Sequence, residues 1–358
     1  MTRTVKIIAF PKAQSPYQQQ LYGAGPLRFA QVRYAGWRTP WWTLNQALLP
    51  LELAALRLRG FTVLHVHWLY TLHPPSPRLR RRRLGFRIAD ALFGMLLFSA
   101  KTLRLRVVWT VHNVLPHEPL LSDDLRARRA LGAASDLLIF HSESARAKYE
   151  REIGSVASRS LVVPHPPLPL ASAAREQNAI RRLLFFGHVR RYKGVERLVA
   201  AFDAVATPTS ELVIAGRCDD PALARTLECK VARARNRVLL DLRFLGDEEL
   251  AVLVNGADVV VLPFNEITTS GSAITALGAG KPLVIPDAPE LAEVPDEAVF
   301  RYPRDGGDAA LRDALQRALA TPAADLARMS AAAAAFAATL SWNDVAERTL
   351  RALTAARA

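Results

Sequence analysis

The sequence predicts an α/β protein built from two doubly wound, Rossmann-like domains facing an interdomain cleft. Three observations lead there. The chain has 358 residues, too long for one ordinary core and suited to two domains of roughly 150 residues each. Short, β-rich apolar runs alternate with longer helical patterns, and continuous apolar strands separated by helices make a buried parallel sheet covered on both faces. Mid-chain, Pro164, Pro166, Pro167 and Pro169 break the pattern, since proline suits neither a central strand nor a helix interior.

In the first half, strands are expected at 5–10, 61–66, 105–111, 136–140 and 161–163, with helices at 43–59, 80–103, 123–133 and 142–153. The polar, Ala-rich stretch 171–178 reads as a linker. The pattern then restarts with strands at 183–186, 212–215, 238–244, 259–262, 283–285 and 299–302. Asp247 is the expected N-cap of the helix after Gly246, and the Ala-rich 330–338 is expected to be helical because alanine is the best helix former. The domains run over residues 1–168 and 179–340, with a terminal segment at 341–358. Ligands of such sheets bind beyond the carboxyl ends of the strands, so chemistry is sought in the loops that follow them.

Composition removes several classes. Hydrophobic residues make up 50% and charged residues 22%, which describes a folded globular chain. Two cysteines, Cys218 and Cys229, exclude a disulfide scaffold and a thiolate zinc cluster, and fit free thiols in a reducing compartment. The apolar segment 5–10 is too short for a secretory signal. The apolar run 88–100 is too short to span a bilayer and contains Asp90. No Gly-x-x-x-x-Gly-Lys-Ser/Thr loop is present, and Gly23-Ala24-Gly25 lacks the third glycine of a dinucleotide fingerprint. There is no Asp-x-Asp, so a magnesium-bridged diphosphate site of that kind has no ligands. The 47 Lys and Arg against 33 Asp and Glu leave a net charge of +14. Such an excess favours an anionic partner: nucleic acid, acidic lipid or a phosphorylated ligand.

Three stretches carry chemistry. Gly187 ends the first strand of the second domain, where absence of a side chain lets backbone approach a ligand. Arg190 and Lys193 follow it with cations suited to a diphosphate. Further on, Glu266, Thr269, Ser270, Gly271 and Ser272 form a polar loop and a helix start, whose unpaired N–H groups attract anions and whose hydroxyls also serve as caps. In the first domain, His112, His117 and Glu118 follow a buried strand and are the candidate general bases. His65 and His67 end another strand; they are read as pointing to opposite faces, which argues against a metal site with His112 and His117.

At these residues the chain resembles the GT-B glycosyltransferases, in particular the xanthan-type β-mannosyltransferases and related exopolysaccharide and GT4-like enzymes. The matching stretches are Ser15-Pro16-Tyr17 with Leu21-Tyr22, His65-Val66-His67-Trp68, His112-Asn113 with Pro116-His117-Glu118, Phe186-Gly187 through Arg190 to Tyr192-Lys193-Gly194-Val195-Glu196, and Leu262-Pro263-Phe264 with Thr269-Ser270-Gly271. Ser341-Trp342-Asn343-Asp344 resembles the terminal helix that crosses back onto the first domain in that fold. The resemblance implies transfer of a sugar, mannose from GDP-mannose as first guess, to a lipid-linked or glycan acceptor without a cofactor or metal. It implies that Gly187, Arg190, Lys193, Glu266, Thr269, Ser270, Gly271 and Ser272 hold the donor, that Tyr17, His67 and Trp68 lie on the acceptor side, and that Glu118 or His117, then His112, is the base. The retaining relatives carry two spaced glutamates in their second motif. Here Thr275 stands where the second would fall and Glu266 is displaced from the first, which puts ribose binding by that glutamate in doubt and favours inversion.

Competing readings are a retaining enzyme using a UDP- or other nucleotide sugar, a GT-B-fold epimerase isomerising its donor without an acceptor, and a nucleic-acid binder. No helix-turn-helix, RNP or KH signature supports the last, and no nucleic-acid partner is expected. The dense cations from Arg78 to Arg87, the apolar helix behind them and Lys101, Arg104 and Arg106 fit an anionic membrane surface. The expected location is cytoplasmic, peripheral at the inner face of the membrane.

Overall fold

The computed structural model describes residues 4–12, 15–36, 41–74, 83–116, 118–156, 160–171, 180–267 and 270–355. The chain divides into two compact units, Met1–Pro164 together with Ser341–Ala358, and His165–Leu340.

The first unit holds a parallel sheet of β1 (Lys6–Phe10), β2 (Gln31–Tyr34), β3 (Val63–Val66), β4 (Arg106–Thr110), β5 (Leu137–Phe140) and β6 (Ser160–Val162), in the order β2-β1-β3-β4-β5-β6. The chain steps one way from β1 to β2 and the other way to β3, so the order reverses between β1 and β3, a topological switch point. Phe10 pairs with Val66, and Val66 with Trp109, so these strands end together and release their following residues at one edge. β3 and β5 are buried along their whole length, as continuous apolar strands in a covered sheet must be. β2 was not anticipated: Gln-Val-Arg-Tyr alternates polar with apolar and alternates in exposure, which an edge strand tolerates.

Helices Asp124–Ala134 and Glu143–Glu152 begin as expected, with Asp123 and Ser142 accepting from the N–H groups of Arg126 and Ala145. The single helix expected over 43–59 is two, Trp42–Ala47 and Leu49–Leu58. Pro50 lacks an N–H and belongs in a first helical turn, so a new helix starts there. Helix Arg83–Thr102 turns Ala89, Phe93, Leu96 and Ala100 into the core. Helix Trp342–Thr354 packs on this unit. The Arg106 guanidinium donates to the carbonyls of Ala352, Leu353 and Ala355, satisfying acceptors that a helix end leaves open.

The second unit holds β7 (Arg181–Phe186), β8 (Ser210–Ala215), β9 (Val238–Asp241), β10 (Val259–Val261), β11 (Leu283–Asp287) and β12 (Val299–Pro303), parallel in the order β12-β11-β10-β7-β8-β9. All six were legible as apolar runs. Here the switch point lies between β7 and β10. Gly246, not Asp247, is the N-cap of helix Asp247–Gly256: the Glu249 carboxylate folds back to accept from the Gly246 N–H at 3.0 Å, which moves Asp247 into the first turn. Residues 330–338 lie within helix Ala323–Ala338.

Candidate functional site

In the second unit the two predicted loops leave the sheet on either side of its switch point and are laced together. Gly194, at φ 70°, ends the basic loop; a side chain there would meet the Pro263 carbonyl oxygen at 2.2 Å. Only glycine allows both that backbone conformation and that approach. The Tyr192 carbonyl accepts from the Asn265 N–H at 2.8 Å and the Glu266 N–H at 3.4 Å. Gly187 has φ 106°, and a methyl group on it would lie 2.9 Å from Ser272 Oγ and 3.4 Å from Lys193 Nζ. A bare backbone, a hydroxyl and an ammonium therefore converge at the carboxyl end of β7.

Helix Gly271–Gly278 starts at this point. The Ser270 hydroxyl accepts from the Ala273 N–H at 3.0 Å, so Ser270 is spent as the cap, while Ser272 carries the hydroxyl that faces Gly187. A side chain at Gly271 would meet nothing within 4 Å, so the helix start is open beside Lys193. Burial, and then the charge of Arg190, pull the Lys193 ammonium down to about 8. Among the described residues no carboxylate lies in ion-pair range of it. Arg190 is placed differently: its guanidinium donates to Asp219 at 3.1 Å, and Asp219 also accepts from Arg217 and lies 3.6 Å from His188 Nε2. Sequence reasoning missed Asp219, Arg217 and His188; the clue available was that residues 217–220 follow β8 as residues 187–193 follow β7. Glu266 is exposed, Thr275 is buried inside the helix, and Thr269 lies outside the described residues.

The first unit gathers aromatic and imidazole rings at its own switch point. Ser15 caps helix Pro16–Gly23, which turns Tyr17 and Tyr22 inward after β1. His67 and Trp68 follow β3, His112 follows β4 and His141 follows β5. The Tyr17 ring stands edge-on to His112 at 4.7 Å, to His67 at 5.7 Å and to Trp342 at 5.3 Å. Trp68 stacks on His112 at 4.5 Å with 16° between planes. His65 and His67 do not point to opposite faces. Two residues apart on an extended chain, they share one face, with ring centres 4.1 Å apart. The Tyr22 hydroxyl bridges them, 2.9 Å from His65 Nδ1 and 2.9 Å from His67 Nε2. Burial holds both neutral, His65 down to about 3 and His67 well below the ordinary imidazole range, with His65, His112 and His141 adding to the effect on His67. Among the described residues no three His, Cys, Asp or Glu side chains are grouped to hold a metal ion. Glu118 is exposed beyond β4, and His117 lies outside the described residues. Tyr17, His67, Trp68 and His112 were named in advance, and Tyr22 and Trp342 lay in the matching stretches without a role; Thr110 and His141 were given none.

Two six-stranded parallel sheets of this topology form the GT-B fold. Sucrose-phosphate synthase from Thermosynechococcus elongatus has it, with a TM-score of 0.71, 20% identity and 98% of each chain covered. So does Anabaena HepE, solved with UDP and glucose, with a TM-score of 0.74, 14% identity and 98% and 99% coverage. Residues 180–321 match the family Glycosyl transferases group 1. The chain is 28% identical over 313 residues to the GDP-mannose:glycolipid 4-beta-D-mannosyltransferase of Xanthomonas campestris pv. campestris, covering 86% of this chain and 81% of that one. The chain thus has the GT-B fold, and its second unit carries a group 1 glycosyltransferase domain, as the resemblance in its motifs implied.

An anion seated on Lys193 binds the ammonium form. With the free amine near 8, affinity for inorganic pyrophosphate should fall as pH rises through about 8, by up to about tenfold per unit. Titration calorimetry from pH 7 to 9.5 checks this, and Lys193→Ala should both weaken binding and flatten that part of the profile.

Proposed function

We propose that this protein is a metal-independent, inverting transferase that moves mannose from GDP-mannose to a lipid-linked or glycan acceptor. The observation that carries the reading is the convergence of Lys193, the Ser272 hydroxyl and the open start of helix Gly271–Gly278 on the bare backbone of Gly187. A diphosphate presents two anionic groups. An ammonium and oriented N–H dipoles stabilise them in the ground state and as charge grows on the leaving phosphate, which is the task a divalent cation performs in other transferases. Arg190 adds a second cation, drawn from its contact with Asp219. GDP-mannose is favoured because the relative matched over most of both chains is named for it. Inversion needs a base to take the proton of the attacking hydroxyl, and Glu118 or His117 is assigned that role from the first unit.

Donor choice is read by thermal stabilisation against a panel of GDP-, UDP- and ADP-sugars. A ligand at 100 times its Kd stabilises the fold by about 2.7 kcal/mol, and GDP-mannose should give the largest shift. Lys193→Ala and Arg190→Ala should each cut it, since a charge-assisted bond is worth roughly 1.5–3 kcal/mol. A larger shift with a UDP-sugar points instead to the UDP-dependent alternative.

The base is identified by truncation. Glu118→Ala or His117→Ala should lower turnover by about 10²–10⁴-fold while leaving donor affinity intact. Near-normal turnover in both removes the pair from that role.

The acceptor reading extends to the membrane. No helix among the described residues is long and apolar enough to cross one. In helix Arg83–Thr102, Phe93 and Leu96 belong to the core, which withdraws much of the apolar run from any lipid contact. What remains outward is a stripe of Leu84, Arg87, Ala91, Gly94, Phe98 and Lys101, with Phe98 70% exposed. Arg78 to Arg82 lie outside the described residues. Aromatic and aliphatic groups flanked by cations suit the headgroup boundary of anionic lipid. Co-sedimentation with phosphatidylglycerol vesicles should exceed that with neutral vesicles, weaken with salt, and drop in the Arg87→Ser/Phe98→Ser double variant.

A further inference from the structure

Four buried side chains at the carboxyl edge of the first sheet have a hydrogen count that closes. Thr110 Oγ1 lies 2.8 Å from His65 Nε2. His65 Nδ1 and His67 Nε2 each lie 2.9 Å from the Tyr22 hydroxyl. His67 Nδ1 reaches His112 Nε2 in a longer contact of 3.4 Å. Among the described residues, the side chains of Thr110, His65, Tyr22 and His67 make no other hydrogen bond. A neutral imidazole has one donor nitrogen and one acceptor nitrogen, and burial keeps both of these histidines neutral. The four side chains therefore own four hydrogens and form four links, the last to His112.

Acceptance by the Tyr22 hydroxyl from both histidines would strand its own hydrogen in a buried position, so the links run in one of two directions. Run outward, Thr110 donates to His65, His65 to Tyr22, Tyr22 to His67, and His67 Nδ1–H to His112 Nε2; every hydrogen occupies a link. Run inward, His112 supplies the last link, each hydrogen shifts by one place, and the Thr110 hydroxyl hydrogen is left over in a fully buried position. A buried donor without a partner is the costly case, so the outward direction prevails. His112 then accepts at Nε2 and, while neutral, carries its proton on Nδ1, with Trp68 stacked on its face to fix the ring plane.

We infer that Thr110, His65, Tyr22 and His67 are positioning residues that set the tautomer of His112, so that His112 meets the substrate as an N–H donor to an oxygen atom and not as the base. The tautomer follows from the hydrogen-bond geometry, the neutrality of His65 and His67 and the cost of a stranded buried hydrogen; the role toward substrate rests on the transfer reaction proposed above. It leaves deprotonation of the acceptor to Glu118 or His117.

The test uses the full chain with ¹⁵N-labelled histidine, in two-bond ¹H–¹⁵N correlation spectra at a pH well above the ordinary histidine value of about 6.5, with His112→Gln identifying the signal. The expected result is a single Nδ1–H tautomer for His112, becoming a mixture in Tyr22→Phe, where the middle link is gone. An Nε2–H tautomer in the unmodified chain, or an unchanged Nδ1–H signal in folded Tyr22→Phe, overturns the chain. A second measurement addresses the role. Glutamine donates an N–H but takes no proton, so His112→Gln should turn over about tenfold faster than His112→Ala, the worth of one hydrogen bond. Equal turnover in the two variants, high or low, overturns the donor role. If the unmodified chain transfers no sugar from any donor, the reaction reading fails while the tautomer result stands on its own.

Discussion

The contact between Gly194 and the Pro263 carbonyl is the constraint on which the second unit's site depends. It brings the loop after β7 against the loop after β10, strands that adjoin at the point where the sheet's order reverses. Once the two are in contact, the Asn265 N–H can donate to the Tyr192 carbonyl, Lys193 is turned over the ring of Phe185 with its ammonium 5.9 Å from the ring centre, and the helix after Ser270 opens toward it. A Cβ at position 194 would force these loops apart, and the ammonium, the hydroxyl and the helix start would no longer share one spot. The electrostatics of the site thus rest on a steric fact about one residue.

The two switch points share topology and differ in chemistry. The second unit offers charge and backbone dipoles around a bare glycine, with one cation already engaged by Asp219 and another without a carboxylate among the described residues. The first unit offers aromatic and imidazole rings in mutual contact, with His65 and His67 kept uncharged by burial and joined through Tyr22. The former arrangement suits a ligand carrying formal charge. The latter suits one recognised by directed hydrogen bonds and ring contacts, because neutral imidazoles fix direction without adding a field.

The sequence displayed the fold through its apolar runs. Eleven of the twelve strands were visible because a parallel sheet covered on both faces requires unbroken apolar stretches. β2 was hidden because an edge strand does not. Pro50 and Glu249 altered helix starts through local bonding that periodicity does not register. In the site, the glycines, Lys193 and Ser270 were readable as residue types at strand ends. Which hydroxyl caps the helix and which faces Gly187 was not, since Ser270 and Ser272 differ only in where the helix begins. The error over His65 and His67 was one of period, not of residue type: side chains two apart on a strand share a face. The bridge through Tyr22 was out of reach, because it joins a helix after β1 to the end of β3 and only tertiary structure brings them together.

Helix Trp342–Thr354 makes the first unit discontinuous in the chain, with the whole of the second unit inserted before its last element. Trp342 lies against Tyr17, and Arg106 of β4 closes the helix's far end. During synthesis from the amino end, β1 to β6 emerge long before this helix does, while the second unit is complete as soon as its own contiguous stretch is out. Domains tend to fold as units in order of emergence. The first unit, although it begins the chain, must therefore finish last, with the flank of its ring cluster uncovered until residues 341–355 arrive. The ring cluster gains its Trp342 wall only in a chain translated through to that helix, so a prematurely terminated product carries a complete second unit beside an unfinished first one.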